Sequence, residues 1–179
     1  MKLFFASDIH GSAPATERMI AAFQESGAQR MILLGDILYH GPRNDLPEGY
    51  APKQVVSLLS PLAPKILCVR GNCEAEVDQM VLPFPVMADY AVLFVEALSP
   101  RMVYLTHGHH PLPPLCDGDV VISGHTHIPL IDQGPQVHLN PGSASLPKGG
   151  FKPSYMVYDD GLFVIKDFDG GVIGSWRAV

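Results

Sequence analysis

Short apolar runs recur along the chain, and five of them are followed at once by one or two polar residues of metal-ligating type. Residues 3–7 (LFFAS) are too few for a helix and read as a strand buried on both faces. Residues 15–26 put Met19, Ile20 and Phe23 at helical spacing and stop before Gly27, a favourable C-terminal residue. Residues 31–34 return to strand, so the three segments form a βαβ unit expected to be parallel and right-handed. Residues 53–59 predict a second crossover helix and 65–69 a third parallel strand. Beyond Pro85 the pattern turns to strands alone: 91–95, 102–106, 120–123, 137–139, 155–158, 162–167 and 172–176. Helices therefore cluster early and strands late. Residues 41–52, with Pro42, Pro47, Gly49 and Pro52, predict an irregular loop. No repeat, low-complexity tract or linker divides the chain, so residues 1–179 are expected to form a single domain.

Composition narrows the function classes. With 179 residues, 47% of them hydrophobic and 17% charged, the chain can bury a core and is not of disordered type. A formal net charge of -6 argues against an electrostatic footprint for long nucleic acid or an anionic membrane. Cys68, Cys73 and Cys116 are an odd, sparse set without CxxC spacing, so no disulfide framework is expected. The apolar stretch 3–6 is too short for a signal sequence and no run of about 18 apolar residues occurs, so a cytoplasmic protein with no membrane span is expected.

The chemistry sits in the five clusters: Asp8-Ile9-His10, Gly35-Asp36, Gly71-Asn72, His107-Gly108 and Gly124-His125-Thr126-His127. In open α/β sheets ligands bind beyond the carboxyl ends of strands, where every cluster falls. Each alone has a bland explanation. Asp-x-His and Gly-Asp are also turn pairs, Asn72 after Gly71 is also a left-handed turn residue, and two histidines can pair on a sheet surface. Their joint occurrence, in order and each at a strand end, is what argues for a site. Mixed carboxylate and imidazole donors suit Mn²⁺, Zn²⁺ or Fe²⁺ better than Mg²⁺ or Ca²⁺. A carboxylate such as Asp36 can bridge two ions, and two ions roughly 3.5 to 4 Å apart can polarise a phosphoryl group and generate a hydroxide at neutral pH. The implied chemistry is metal-assisted hydrolysis of a phosphate ester.

The ordered series D-x-H, G-D, G-N, H-G and G-H-T-H resembles the calcineurin-like metallophosphoesterase superfamily. The phrases SDIHGS, GNCEAEVDQM, THGH, SGHTHIP and NPGSASLPKGG are similar to the small bacterial YfcE-type phosphodiesterases within it. The resemblance covers nearly the whole chain. It implies a four-layer α/β/β/α sandwich of two mixed β-sheets flanked by helices. It also implies a dinuclear centre of two divalent ions, Mn²⁺ first, with Zn²⁺, Fe²⁺ and Ni²⁺ as alternatives. Carried over by position, Asp8, His10 and His127 hold one ion, Asn72, His107 and His125 the other, and Asp36 bridges. A metal-bridging hydroxide would then attack a small phosphodiester, with Asn72 helping to stabilise the phosphoryl oxygens.

One position departs from that pattern. Cys73 stands where many members of the superfamily carry a histidine that serves the transition state or the leaving group, and a thiol is a poor proton donor. His109 is the first candidate for that role, with His110 and His40 behind it. Arg43 could reach a substrate phosphate or be a solvated loop residue, and Asn140-Pro141-Gly142-Ser143 could present amides to the site or be a rigid turn. The competing class is a non-catalytic scaffold of the same fold, as in the retromer subunit, where ligand positions would be lost; here none is. Oligomeric state stays open, because residues 81–85 read equally as an interface or a buried crossing segment.

Overall fold

β1 (Leu3–Ala6) is the spine of the molecule, paired in parallel with β2 (Arg30–Leu33) and antiparallel with β9 (Ser154–Asp159). The structure is a computed structural model that describes residues 1–178. Between β1 and β9 the chain runs through α1 (Ala13–Ser26), β2, α2 (Pro52–Leu59), β3 (Ile66–Cys68), α3 (Glu76–Val81), β4 (Tyr90–Leu93), β5 (Val103–Thr106), β6 (Val120–Ile122), β7 (Leu130–Gln133) and β8 (Val137–Asn140). It closes with β10 (Leu162–Asp167) and β11 (Val172–Arg177). A six-stranded sheet has the order β11-β10-β9-β1-β2-β3 and a five-stranded sheet the order β4-β5-β6-β8-β7. Both are mixed: β1-β2-β3 and β5-β6-β8 are parallel, the remaining pairs antiparallel.

Strand periodicity explains the layers. Leu3 and Phe5 join Ile32, Leu105, Ile122, Leu139 and Met156 in the core between the sheets. Phe4 and Ala6 point the other way, onto Met19 and Phe23 of α1 and Val55 and Leu59 of α2. Burial on both faces is why β1 reads as an unbroken apolar run. The expected architecture of two mixed sheets flanked by a few helices is the one observed.

α1 begins two residues earlier than its periodicity suggests, because Ser12 caps it, accepting from the Ala15 N–H at 3.3 Å. It ends at Gly27 in the left-handed conformation, as expected. Two elements were not anticipated. α3 is a short helix with no buried residue, and β7 is an edge strand with Leu130 exposed, so neither carries an apolar stripe. Leu82, Phe84 and Val86 alternate inward to the helical side of the larger sheet, which makes residues 81–85 a crossing segment. Among the described residues, no helix is long and apolar enough to cross a membrane.

Candidate metal centre

All seven candidate ligands converge. They leave the C-terminal ends of β1 (Asp8, His10), β2 (Asp36), β3 (Asn72), β5 (His107) and β6 (His125, His127), from both sheets. Backbone hydrogen bonds lock the departing segments to one another: Asp8 N–H donates to the Gly35 carbonyl at 3.1 Å, His10 to Asp36 at 2.9 Å and Gly124 to His107 at 3.1 Å. Asp8 Oδ1 lies 3.2 Å from His127 Nε2 and 3.7 Å from His10 Nε2. Asp36 Oδ2 lies 3.5 Å from His107 Nε2 and 3.7 Å from His10 Nε2. His107 Nε2 is 3.1 Å from Asn72 Oδ1 and 3.2 Å from His125 Nδ1. Asp8, His10 and His127 form one set of mutually close ligand atoms, and Asp8, Asp36 and His107 another.

Backbone carbonyls orient three of the imidazoles. The Nδ1 of His10 bonds the Tyr39 carbonyl at 2.8 Å, that of His107 the Leu34 carbonyl at 2.6 Å, and that of His127 the Leu146 carbonyl at 2.6 Å. A carbonyl can only accept, so each Nδ1 carries a proton and each Nε2 is the atom turned towards the carboxylates. Asp8 is fully buried, and its Oδ1 receives no hydrogen bond from any described residue. A buried carboxylate oxygen among imidazole Nε2 atoms fits a divalent cation, which would take the place of the imidazolium protons.

Five of the seven candidate ligands have positive φ: Asp8 at 56°, His10 at 51°, Asp36 at 56°, His125 at 69° and His127 at 61°. Such backbone is unfavourable for residues with a Cβ and clusters at functional sites. Asn72 is not among them, so it is not the left-handed turn residue its Gly-Asn context would also allow. Gly71 permits the approach of β2 and β3 loops, since a Cβ there would overlap the Asp36 backbone nitrogen and carboxylate. Glu74 ties the same two loops, its buried carboxylate accepting from the N–H groups of Asp36 (2.9 Å), Ile37 (2.7 Å) and Gly71. Burial pushes Glu74 up to about 7 despite those bonds.

Burial alone would raise Asp8, but His10, His127 and His107 outweigh it and hold the carboxyl well below its usual range. His107 shows the reciprocal effect: burial disfavours its proton, yet the Asp36 and Asp8 carboxylates push it up to about 9. His109 goes the other way, lowered to about 4 by burial and by His107 and His110. Its ring lies edge-on to that of His107, 5.3 Å away, and does not line the cleft, and neither does His40, whose ring sits between Tyr39 and Tyr50. Burial and the Asp36 carboxylate raise the Cys73 thiol strongly, so it stays protonated.

The cleft over the ligands has a volume of about 440 Å³, and Arg43 and Lys148 bring two cations to its wall beside Asp36, Asn72 and His125. Asn140 is almost fully buried, donating to the Gly124 carbonyl at 2.7 Å, while Ser143 Oγ donates to the Asp8 carbonyl at 2.8 Å. The NPGS segment therefore straps the loops of Asp8 and His125 together from behind. Three features escaped the sequence reading. Lys148 had only a basic residue after a turn as its signal, Glu74 only an acid two residues past a ligand, and the orienting carbonyls none.

An open cleft over clustered carboxylates and imidazoles at strand ends of a two-sheet sandwich is the arrangement expected of a metallohydrolase. The chain belongs to the calcineurin-like phosphoesterase superfamily, whose domain is matched by residues 1–160. It is 51% identical to Phosphodiesterase YfcE of Escherichia coli strain K12, across 98% of this chain and 97% of that protein. The solved structure of that E. coli phosphoesterase superposes over 100% of both chains with a TM-score of 0.94 and 48% identity. Vps29 of Chaetomium thermophilum covers 100% of both chains at TM-score 0.63 but 14% identity, a likeness of fold alone.

Proposed function

We propose that the protein is a dinuclear-metal phosphodiesterase acting on small phosphodiesters, with Mn²⁺ the first candidate metal and Zn²⁺, Fe²⁺ and Ni²⁺ as alternatives. The observation that carries this is the unpartnered, buried Asp8 Oδ1 at the centre of converging imidazole nitrogens. Asp8, His10 and His127 would hold one ion and Asn72, His107 and His125 the other, with Asp36 shared. Two such ions supply Lewis acidity towards the phosphoryl group and make water a nucleophile at neutral pH. The chain's own groups do the rest. Arg43 and Lys148 attract and orient the phosphate anion at the cleft wall, and Asn72 directs its side chain to the same place. Further support comes from the name carried by the 51% identical relative.

Neither His109 nor Cys73 is well placed to give the leaving group its proton. His109 is neutral at pH 7 and off the cleft, nearby cations would only depress it further, and the Cys73 thiol holds its proton too tightly. Diesters with good leaving groups are therefore favoured. The scaffold alternative has only the fold likeness to Vps29 behind it, and every ligand position is filled.

The test is hydrolysis of bis-p-nitrophenyl phosphate by metal-stripped protein with and without Mn²⁺, and with the other three ions in parallel. Turnover should require metal and vanish in Asp36→Asn. Arg43→Ala and Lys148→Ala should each raise KM about threefold to tenfold, the worth of one solvent-screened ionic contact. Folded protein with no turnover under any of these ions would sink the reading.

A further inference from the structure

A second cleft, of about 310 Å³, opens against the first, and Cys73 lines both. Its walls are Leu38, Tyr39, Tyr50, Pro52 and Val77, with Asp78 the one charged residue. The two clefts divide the chemistry between them. Both cations, Arg43 and Lys148, belong to the first, and the second has aromatic and aliphatic surface with an acid at its edge. An anion placed in the second cleft would meet no compensating charge, whereas an uncharged ring would replace water on exposed apolar surface. Val77 is 61% and Tyr39 42% exposed, and nothing among the described residues covers them.

The walls are built rigidly and in register with the ligands. The Tyr39 carbonyl is the group that orients His10. The Tyr50 ring lies against the backbone of Gly11, where a Cβ would overlap the Leu38 carbonyl and stand 2.5 Å from the ring. That backbone is itself pinned, by a bridge between Ser12 and Tyr50 and by the Ala51 N–H donating to the Gly11 carbonyl at 2.8 Å. The His40 ring fills the angle between the two tyrosines, at 4.7 Å from Tyr39 and 5.4 Å from Tyr50.

Given the phosphodiesterase reading, on which this step rests, we propose that the second cleft is the subsite for one ester substituent of the diester, and that this substituent is a flat, uncharged ring. With the phosphate between Arg43, Lys148 and Asn72, one of its ester oxygens can pass Cys73 and lay its substituent on Tyr39, Tyr50 and Val77. Aromatic walls with a single polar edge group are the usual lining for such a ring.

The test is calorimetric titration of the Mn²⁺-loaded protein with three non-chromogenic probes: diphenyl phosphate, dimethyl phosphate and inorganic phosphate. Burying about half of one ring predicts that diphenyl phosphate binds about tenfold tighter than dimethyl phosphate. Val77 is on the surface of α3, so Val77→Asn should fold normally and weaken diphenyl phosphate about threefold, whereas Val77→Leu should retain its affinity. Inorganic phosphate should bind wild type and both variants alike. Equal affinity for the two diesters, or an unchanged diphenyl phosphate affinity in Val77→Asn, overturns the subsite while phosphate binding keeps the metal cleft intact. Loss of phosphate binding in the wild type, with no turnover of bis-p-nitrophenyl phosphate, would remove the underlying reading and this subsite with it.

Discussion

Replacing His125 by glycine should leave a more stable metal-free protein than replacing it by alanine. Both variants lose the imidazole and its 3.2 Å approach to His107, so the comparison isolates the backbone. At φ 69°, any residue with a Cβ is in the left-handed region, at about 1 to 2 kcal/mol. Glycine escapes that strain but loses roughly 0.5 to 1 kcal/mol through its freer unfolded chain, leaving a net advantage of about 1 kcal/mol. For a chain of 179 residues that is about 2 to 4 °C in Tm. Asn72 supplies the control, being exposed, a candidate ligand of the same centre, and not of positive φ. There the order should reverse, Asn72→Ala exceeding Asn72→Gly by about 0.5 to 1 kcal/mol. The assay is urea denaturation of the four variants in a chelator, with turnover measured in Mn²⁺ to show that all four are impaired. If glycine is no better than alanine at 125, or if the two positions give the same order, the strain is not in the backbone of the ligand loops.

Two other outcomes follow from the geometry. His107, raised to about 9 from 6.5 by Asp36 and Asp8, is protonated in the metal-free protein at neutral pH, and an incoming ion must displace that proton. Mn²⁺ affinity should rise about tenfold per pH unit on approaching 9, with proton release measurable by calorimetry in buffers of different ionisation enthalpy. The sign for stability is opposite: the contribution of protonated His107 to the metal-free fold is complete below pH 6.5 and is lost as pH rises through about 9. Gly71→Ala should lower stability by about 1 to 3 kcal/mol, because its Cβ meets the backbone of Asp36, whereas Gly134→Ala, meeting only the Gln136 carbonyl at 3.6 Å, should lie within about 0.5 kcal/mol of wild type by urea denaturation.

What could be read from the chain and what could not divide along sequence distance. β1 and β2 announce themselves because both their faces are buried, and the ligand clusters because each directly follows such a strand. β7 was invisible since Leu130 and Gln133 of an edge strand both face solvent and leave no alternation to count. α3 was invisible because its six residues bury nothing. Within the site, imidazoles and carboxylates declare themselves by type. The carbonyls of Tyr39, Leu34 and Leu146 that orient them come from 29, 73 and 19 positions away, and a carbonyl carries no side-chain signature. Glu74 looks like any loop acid until its three N–H partners are known. Lys148 and Tyr50 matter only because the folded chain brings them to the rim of the ligand cluster. His109 illustrates the converse: closeness in sequence to His107 suggested a role that its surroundings weaken.

The strained candidate ligands also explain why the site is made of loops welded to one another. A left-handed aspartate or histidine persists only where its surroundings over-determine it. Asp8 is held by its own N–H to Gly35, by Ser143 and Ser145 on its carbonyl, and by the His125 N–H on Oδ2 at 3.1 Å. None of these bonds involves a metal ion. The geometry that would receive the ions therefore belongs to the polypeptide, and its strain is offset by the two cores that fix the strand ends on which it stands. The same bonds fix the distance between the cations at the cleft wall and the aromatic surface beyond Cys73, and with it, on the proposed reading, the shape of diester that would span them.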